Sequence, residues 1–308
     1  QGLNTSMPAD VQEAFLKTMP GLENVEVLRP GYAVEYDFVY PDQLKPSLET
    51  KDIENLFLAG QINGTSGYEE AAGQGIVAGI NAGLKVRDRD PLILTREDSF
   101  IGTLIDDLIT KNIYEPYRML TSRSEYRLLL RQDNAPFRLS ERAFECDLIT
   151  KEEIAHIREQ HHSITGIKKS FSKHYPSKEL MKKLKMDIKH PLSAVVKRPE
   201  VKCEDLEEFR VELDVEKEQL ERALVEVKYE GYIKKQEEDI LRIKKFETKK
   251  IPTTINFEQL KGMRNESIEK LKEYKPATIF DAKKIAGINP ADLMILIAYI
   301  EQGNRVKR

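Results

Sequence analysis

Two sets of residues in this 308-residue chain are spaced for chemistry. The first is a row of arginines, Arg118, Arg123, Arg127 and Arg131, the last three recurring every four residues. On a helix such guanidinium groups line one face and repel one another unless anions lie between them, which is the chemistry of phosphate contact. Glu115, Glu125, Asp133 and Glu141 lie close by and offer the alternative, internal salt bridges. The second set is the run Asn55 to Gly83, NLFLAGQINGTSGYEEAAGQGIVAGINAG. A strand, a glycine-rich turn and a helix N-terminus in succession bring unpaired N–H groups and the positive end of a helix dipole to one place, a ready site for an anion or cofactor.

Both sets need elements to position them. Leu56 to Ala59 is apolar and short enough for a buried strand, and Gly60 breaks it into a loop holding Gly64 and Gly67. In the helix that follows, Ile76, Ile80 and Leu84 fall on one side, while Gly75, Gly79 and Gly83 strip one stripe of side chains. Each such glycine costs roughly 0.5 to 1 kcal/mol against alanine, so the stripe is expected where another backbone or a ligand comes close. Upstream, a helix is expected over 8–19, then strands over 25–28 and 32–40, the second with Tyr32, Val34, Tyr36, Phe38 and Tyr40 on one face. Glu35 and Asp37 on its other face read as a solvated strand face rather than a catalytic pair. Ser122 followed by Glu125 fits a capping box, so the arginine row is expected on a helix, with Tyr117 and Tyr126 near it for stacking.

Downstream of the charged turn Arg87 to Pro91 the pattern is almost wholly helical. Asp106 and Asp107 fall off the apolar face of their helix and lack the further ligands a metal would need. Near the end, Gly287 closes one helix, Asn289 caps the next, Pro290 opens it, and Leu293, Leu296, Ile297 and Ile300 face inward. The pattern predicts mixed α/β structure up to the charged turn, helices after it, and a small helical bundle over 251–308.

Composition narrows the class. Hydrophobic residues make up 40% and charged residues 33%, with a net charge of -3. No apolar run is long enough to span a bilayer, and the two cysteines, Cys146 and Cys203, support neither a disulfide framework nor a zinc site, so a reducing cytoplasm is expected. There is no Gly-x-Gly-x-x-Gly, Walker-type loop or His-Glu-x-x-His, and Gly64-Thr-Ser-Gly67 is one residue short of a nucleophile elbow.

At Leu58-Ala-Gly-Gln-Ile-Asn-Gly-Thr-Ser-Gly-Tyr-Glu-Glu-Ala-Ala72 the sequence resembles the MnmG/GidA family, FAD-dependent enzymes that install a carboxymethylaminomethyl or aminomethyl group on the wobble uridine of certain tRNAs. Arg29-Pro-Gly-Tyr-Ala-Val-Glu-Tyr-Asp37, Glu115-Pro-Tyr-Arg-Met-Leu-Thr-Ser-Arg-Ser-Glu-Tyr-Arg-Leu-Leu-Leu-Arg131 and Val227-Lys-Tyr-Glu-Gly-Tyr-Ile233 look like further family signatures, in the same order. Asp281 to Leu293 is similar to the family's C-terminal end. The likeness runs through nearly the whole chain and is weakest between Lys151 and Glu200.

The resemblance implies an α/β plus all-α fold: residues 1–90 would be the closing part of a Rossmann-like FAD-binding domain, 91–250 a helical domain for tRNA and partner binding, and 251–308 a C-terminal helical bundle. Gln61, where such flavoenzymes usually carry aspartate, would meet the flavin, with Gly60, Gly64, Thr65, Gly67 and Tyr68 along the pyrophosphate and flavin edge. Glu69 and Glu70 would bond within the first helical turn. Arg118, Arg123, Arg127 and Arg131 would contact tRNA phosphates. The implied reaction draws a one-carbon unit from methylene-tetrahydrofolate and electrons from NADH, with the GTPase MnmE as partner and a homodimer within a heterotetramer. Cys146 and Cys203 do not match the family's catalytic cysteines and the FAD phosphate loop is missing, so no catalytic residue is expected here and the chain alone is expected to be inactive. The alternatives are a stand-alone tRNA- or protein-binding module and the related folate-dependent tRNA uracil-5-methyltransferase, which lacks the long helical tail.

Overall fold

The computed structural model describes residues 3, 5–111, 115–285 and 287–306, the last five through the backbone alone. Two compact units form, Gln1–Val39 and Tyr40–Arg308. In the first, α1 (Ala9–Lys17) follows Pro8, whose fixed φ suits a helix entry. Its buried residue is Gln12, which donates to Met7 O at 2.6 Å and to Gly31 O at 2.9 Å, and accepts from Gly31 N at 2.7 Å. The runs 25–28 and 32–40, expected as strands, have no ladder partner among the described residues. Alternation makes a strand possible, but a strand exists only where a neighbour takes up its N–H and C=O groups. Tyr32 and Val34 accordingly stand exposed.

The second unit opens with a loop folded on itself through isolated antiparallel bridges, Leu44 with Thr50 and Glu49 with Phe57. The run 56–59 contributes one of these bridges rather than the expected buried strand. Helices follow: α2 (Tyr68–Val86), α3 (Phe100–Thr110), α4 (Ala135–Glu145), α5 (Lys151–Ser170), the short α6 (Lys178–Lys183), α7 (Leu192–Val195) and α8 (Glu207–Glu212), α9 (Lys217–Phe246), α10 (Asn265–Tyr274), α11 (Ile279–Lys284) and α12 (Pro290–Val306). The helical part of the expected fold is therefore present, while the described residues form no sheet of the Rossmann-like part.

Helix α9 connects three cores. Its first half buries Leu220, Ala223, Leu224 and Val227 against α5 and the short helices. Further along, Ile240 packs with Tyr126 and Leu130, and Ile243 joins the C-terminal bundle of Leu271, Ile279, Leu293 and Leu296. At 100° per residue, Ile240 lies about 200° around the helix from Leu220, so the two halves bury nearly opposite faces. A single apolar stripe is therefore absent from a helix of 30 residues. The Asn289 cap forms as its spacing predicts: Asn289 Oδ1 accepts from Asp292 N at 2.9 Å.

The glycine stripe of α2 is not its packed face. Gly75, Gly79 and Gly83 have open space where a Cβ would sit, and Ile76 is exposed. The buried face carries Gln74, Val77, Ala78, Asn81 and Leu84, and the seam glycine is Gly73, against Ile101. Gly102 of α3 is tighter, since a Cβ there would meet Thr95 O at 2.0 Å. In this chain Gly79→Ala is expected to raise unfolding free energy by about 0.5 to 1 kcal/mol. Gly102→Ala is expected to lower it by more than that. Urea unfolding of the two variants checks both signs.

Candidate functional site

The turn before α2 is assembled around one buried amide. Gly60–Asn63 forms a single 3-10 turn between two glycines with left-handed backbone, Gly60 at φ 86° and Gly64 at φ 76°. Only glycine takes this conformation without strain. Gln74, fully buried nearly two turns inside α2, accepts from Gly60 N at 3.1 Å and from Asn63 Nδ2 at 2.8 Å. Its own Nε2 donates to Thr65 Oγ1 at 3.0 Å, and Thr65 Oγ1 donates to Gly60 O at 3.0 Å. Gln61 stays outside this network, exposed and without a side-chain hydrogen bond among the described residues. The fixed turn thus presents a free amide to solvent.

A second segment is stitched to the turn. Thr65 and Tyr117 form a parallel bridge, with Tyr117 N donating to Gly64 O at 2.8 Å and Ser66 N to Tyr117 O at 3.2 Å. Arg118 Nε donates to Ser66 Oγ at 3.2 Å, and Met119 N to Glu70 Oε1 at 2.6 Å. Glu70 therefore bonds across to the neighbouring segment, and not within the first turn of its own helix as expected. Its second oxygen lies under Gly67, where a Cβ would meet Oε2 at 1.7 Å, so a side chain at position 67 would have to displace the Glu70 carboxylate. Both Glu70 Oε2 and Asn63 Oδ1 are buried without a hydrogen-bond partner. Ser66, Tyr68, Glu70, Phe100, Leu104 and Arg118 help line a cavity of about 670 Å3 between the two segments.

Beneath the segment sits a buried ionic cluster that sequence reading missed. Asp107 is fully buried and accepts from Arg96 Nη1 at 2.5 Å, from Tyr117 Oη at 2.8 Å, and from Lys111. Arg96 also bonds Asp106 at 3.0 Å and Glu125 at 2.7 Å, and donates to Arg123 O at 3.1 Å. Burial pushes the Asp107 carboxyl up, but the charges of Arg96 and Lys111 outweigh it and hold the group below the ordinary aspartate range. Burial likewise opposes charge on Arg96, and Asp107 and Glu125 overcome it. Asp107 thus points inward, where its helical register suggested otherwise.

The cluster also decides the arginine row. Glu125 serves Arg96 rather than a capping box, residues 121–123 make one 3-10 turn, and no helix carries the row. Arg123 lies over the Tyr117 ring at 4.4 Å and donates to Arg118 O at 2.7 Å. Arg131 pairs with Asp133 at 2.9 Å, the internal salt bridge the sequence also allowed. Arg118 and Arg127 are exposed, and Arg127 makes no hydrogen bond or ion pair among the described residues. Tyr117 and Tyr126 are buried and unavailable for stacking on a base. Burial raises the Cys146 and Cys203 thiols, the reverse of what a poised nucleophile needs.

Fold and site together define a helical protein that presents a rigid glycine turn beside a cationic segment. Residues 1–90 match the family model "Glucose inhibited division protein A". Residues 148–237 and 239–308 match the C-terminal helical domain and C-terminal helical bundle of "tRNA modifying enzyme MnmG/GidA". The chain belongs to the MnmG/GidA family. It is 49% identical over 316 residues to the tRNA uridine 5-carboxymethylaminomethyl modification enzyme MnmG of Listeria welshimeri, and 48% identical to that of Bacillus subtilis. In both cases all of this chain aligns with 50% of the relative, so the chain spans about half the length of the curated relatives it matches. The Aquifex aeolicus GidA structure in its form II crystal superposes with a TM-score of 0.64 at 40% identity, covering 97% of this chain and 49% of that one. No helix among the described residues is long and apolar enough to cross a membrane.

Arg96→Met removes the main partner of a buried carboxylate and is expected to cost about 3 to 5 kcal/mol of stability. Because Asp107 has a depressed folded value, its contribution is complete above the unfolded aspartate value and is lost as pH falls through the folded one. Urea unfolding between about pH 7 and pH 2 is expected to show stability falling as pH drops below about 5, with Asp107→Asn lacking the share of the fall that lies below about pH 4.

Proposed function

We propose that this chain is the part of an FAD-dependent tRNA-modifying enzyme that holds the flavin edge of the cofactor and guides the anticodon to it. The observation that carries the reading is the stitching of residues 64–66 to 117–118, which makes one rigid surface of the glycine turn and an arginine-bearing segment. The residues fit a flavin in three respects. Gly60 and Gly64 leave the backbone approachable, Gln61 offers an unengaged amide, and α2 directs its N-terminus toward the cavity lined by Gly67 and Tyr68. Thr65 fixes the turn through its hydroxyl. The sequence holds no dinucleotide phosphate loop, so this surface accounts for the flavin side of the site alone.

When bound, a flavin supplies electron-transfer chemistry; the family's reaction adds a carboxymethylaminomethyl or aminomethyl group to uridine C5 with methylene-tetrahydrofolate and NADH as co-substrates. This chain's own residues bind and orient. Arg118, which lines the cavity, and the exposed Arg127 would neutralise phosphates, while Arg123 and Arg131 hold the segment in shape through Tyr117 and Asp133. The GTPase MnmE as partner, a homodimer within a heterotetramer and a cytoplasmic setting complete the reading, on the strength of the family alone.

Two measurements test it. Arg118→Ala with Arg127→Ala is expected to flatten the salt dependence of tRNA binding by about 0.7 to 0.9 per arginine in log–log slope, and an unchanged slope would refute the phosphate assignment. In a protein extended to the relatives' full length, Gln61→Ala is expected to weaken FAD retention by about 1 kcal/mol, roughly fivefold. Equilibrium dialysis showing equal retention would remove Gln61 from the site.

A further inference from the structure

In the C-terminal bundle, residues 249–251 run alongside 277–279: Ile251 N donates to Ala277 O at 2.8 Å and Ile279 N to Lys249 O at 3.1 Å. Beside this ribbon lies a groove of about 690 Å3. Its floor is aliphatic, built from Ile251, Pro252, Ile255 and Pro276, with the Phe257 ring sunk into the core beneath. Its rim carries three lysines, Lys250, Lys272 and Lys275. Lys272 is paired with Glu258, whereas Lys250 and Lys275 are exposed and make no ion pair among the described residues. No carboxylate lines the groove. In a chain of net charge -3, the two unpaired lysines, Lys250 and Lys275, leave the rim with a local excess of positive charge beside an apolar floor.

We infer that this groove docks an acidic segment of a protein partner that carries aliphatic side chains on one face. An apolar centre inside a charged rim is the anatomy of a protein interface, and the ribbon pre-forms it, so little ordering is needed on this side. Aliphatic anchors at helical spacing fill such a floor while carboxylates on the flanks meet the lysines. Single-stranded RNA fits less well. Its recognition uses exposed aromatic rings and arginine planes for stacking, and the groove lining holds no arginine and only a buried phenylalanine. A free phosphate would want converging backbone N–H groups, and the two short helix starts at the groove are already capped: Asp281 N donates to Thr278 Oγ1 at 3.1 Å and Glu258 N to Asn256 Oδ1 at 3.0 Å. The inference does not depend on the flavin reading.

The test uses the full 308-residue chain and three fluorescent probes. They are a synthetic amphipathic helix with leucine on one face and glutamate on the other, the same helix with lysine for glutamate, and a short oligouridylate. Anisotropy is expected to give affinity for the acidic helix at least about tenfold above that for the basic one, and Lys250→Glu with Lys275→Glu is expected to remove that preference. Both lysines are exposed, so the double variant should fold, which its thermal melt verifies. Amide shifts on adding the acidic helix should cluster at 250–257 and 272–278. Equal affinity for the two helices, a preference that survives charge reversal, or oligouridylate shifting the same amides more tightly than the acidic helix each overturns the inference.

Discussion

A fully buried carboxylate, Asp107, sets the arrangement on which the site depends. A carboxylate without water must be surrounded by donors and opposite charge, and Arg96, Lys111 and Tyr117 supply them from three directions. Meeting that demand fixes the Tyr117 ring, and Tyr117 in turn pairs its backbone with Gly64 and Ser66. Arg96 extends the same constraint to Glu125 and the Arg123 carbonyl. The cationic segment and the glycine turn are therefore held by one electrostatic centre, although more than fifty residues separate Ser66 from Arg118 in the chain.

The turn has its own internal lock. Gln74 satisfies donors and acceptors on both sides of the loop, so Gly60, Asn63 and Thr65 are held by a helix that forms for other reasons. Gln61, between them, escapes the network. A residue meant to meet a ligand is well served by this arrangement, since its backbone is rigid while its side chain carries no competing bond. Two acceptors beneath the turn, Asn63 Oδ1 and Glu70 Oε2, have no protein hydrogen-bond partner.

Helix α9 extends this rigidity toward the C-terminal bundle. Ile240 packs with Tyr126 and Leu130 of the cationic segment, and Gln236 donates to Glu125 O at 3.4 Å. One turn later Ile243 enters the bundle that carries the lysine-rimmed groove. Because its two halves bury opposite faces, α9 holds separate cores in register without itself having a single apolar side.

Much of this was written in local sequence. Helices downstream of the turn, the Asn289 cap, the inward face of α12 and the glycine turn itself rest on interactions within a few residues, which periodicity and turn chemistry report directly. The tertiary structure decided what depends on partners far along the chain. Residues 32–40 alternate as a strand does but take part in no β-bridge among the described residues; Gly75, Gly79 and Gly83 face open space; and Ser122 with Glu125 signals a capping box, whereas the glutamate bonds Arg96. The arginine spacing fixed which charges are near one another in sequence, but which of them remain free for a ligand was settled by Tyr117, Asp133 and the buried cluster. Local pattern encodes what backbone and side chain prefer within a turn or two, whereas the partner of a buried charge is chosen by the packed fold.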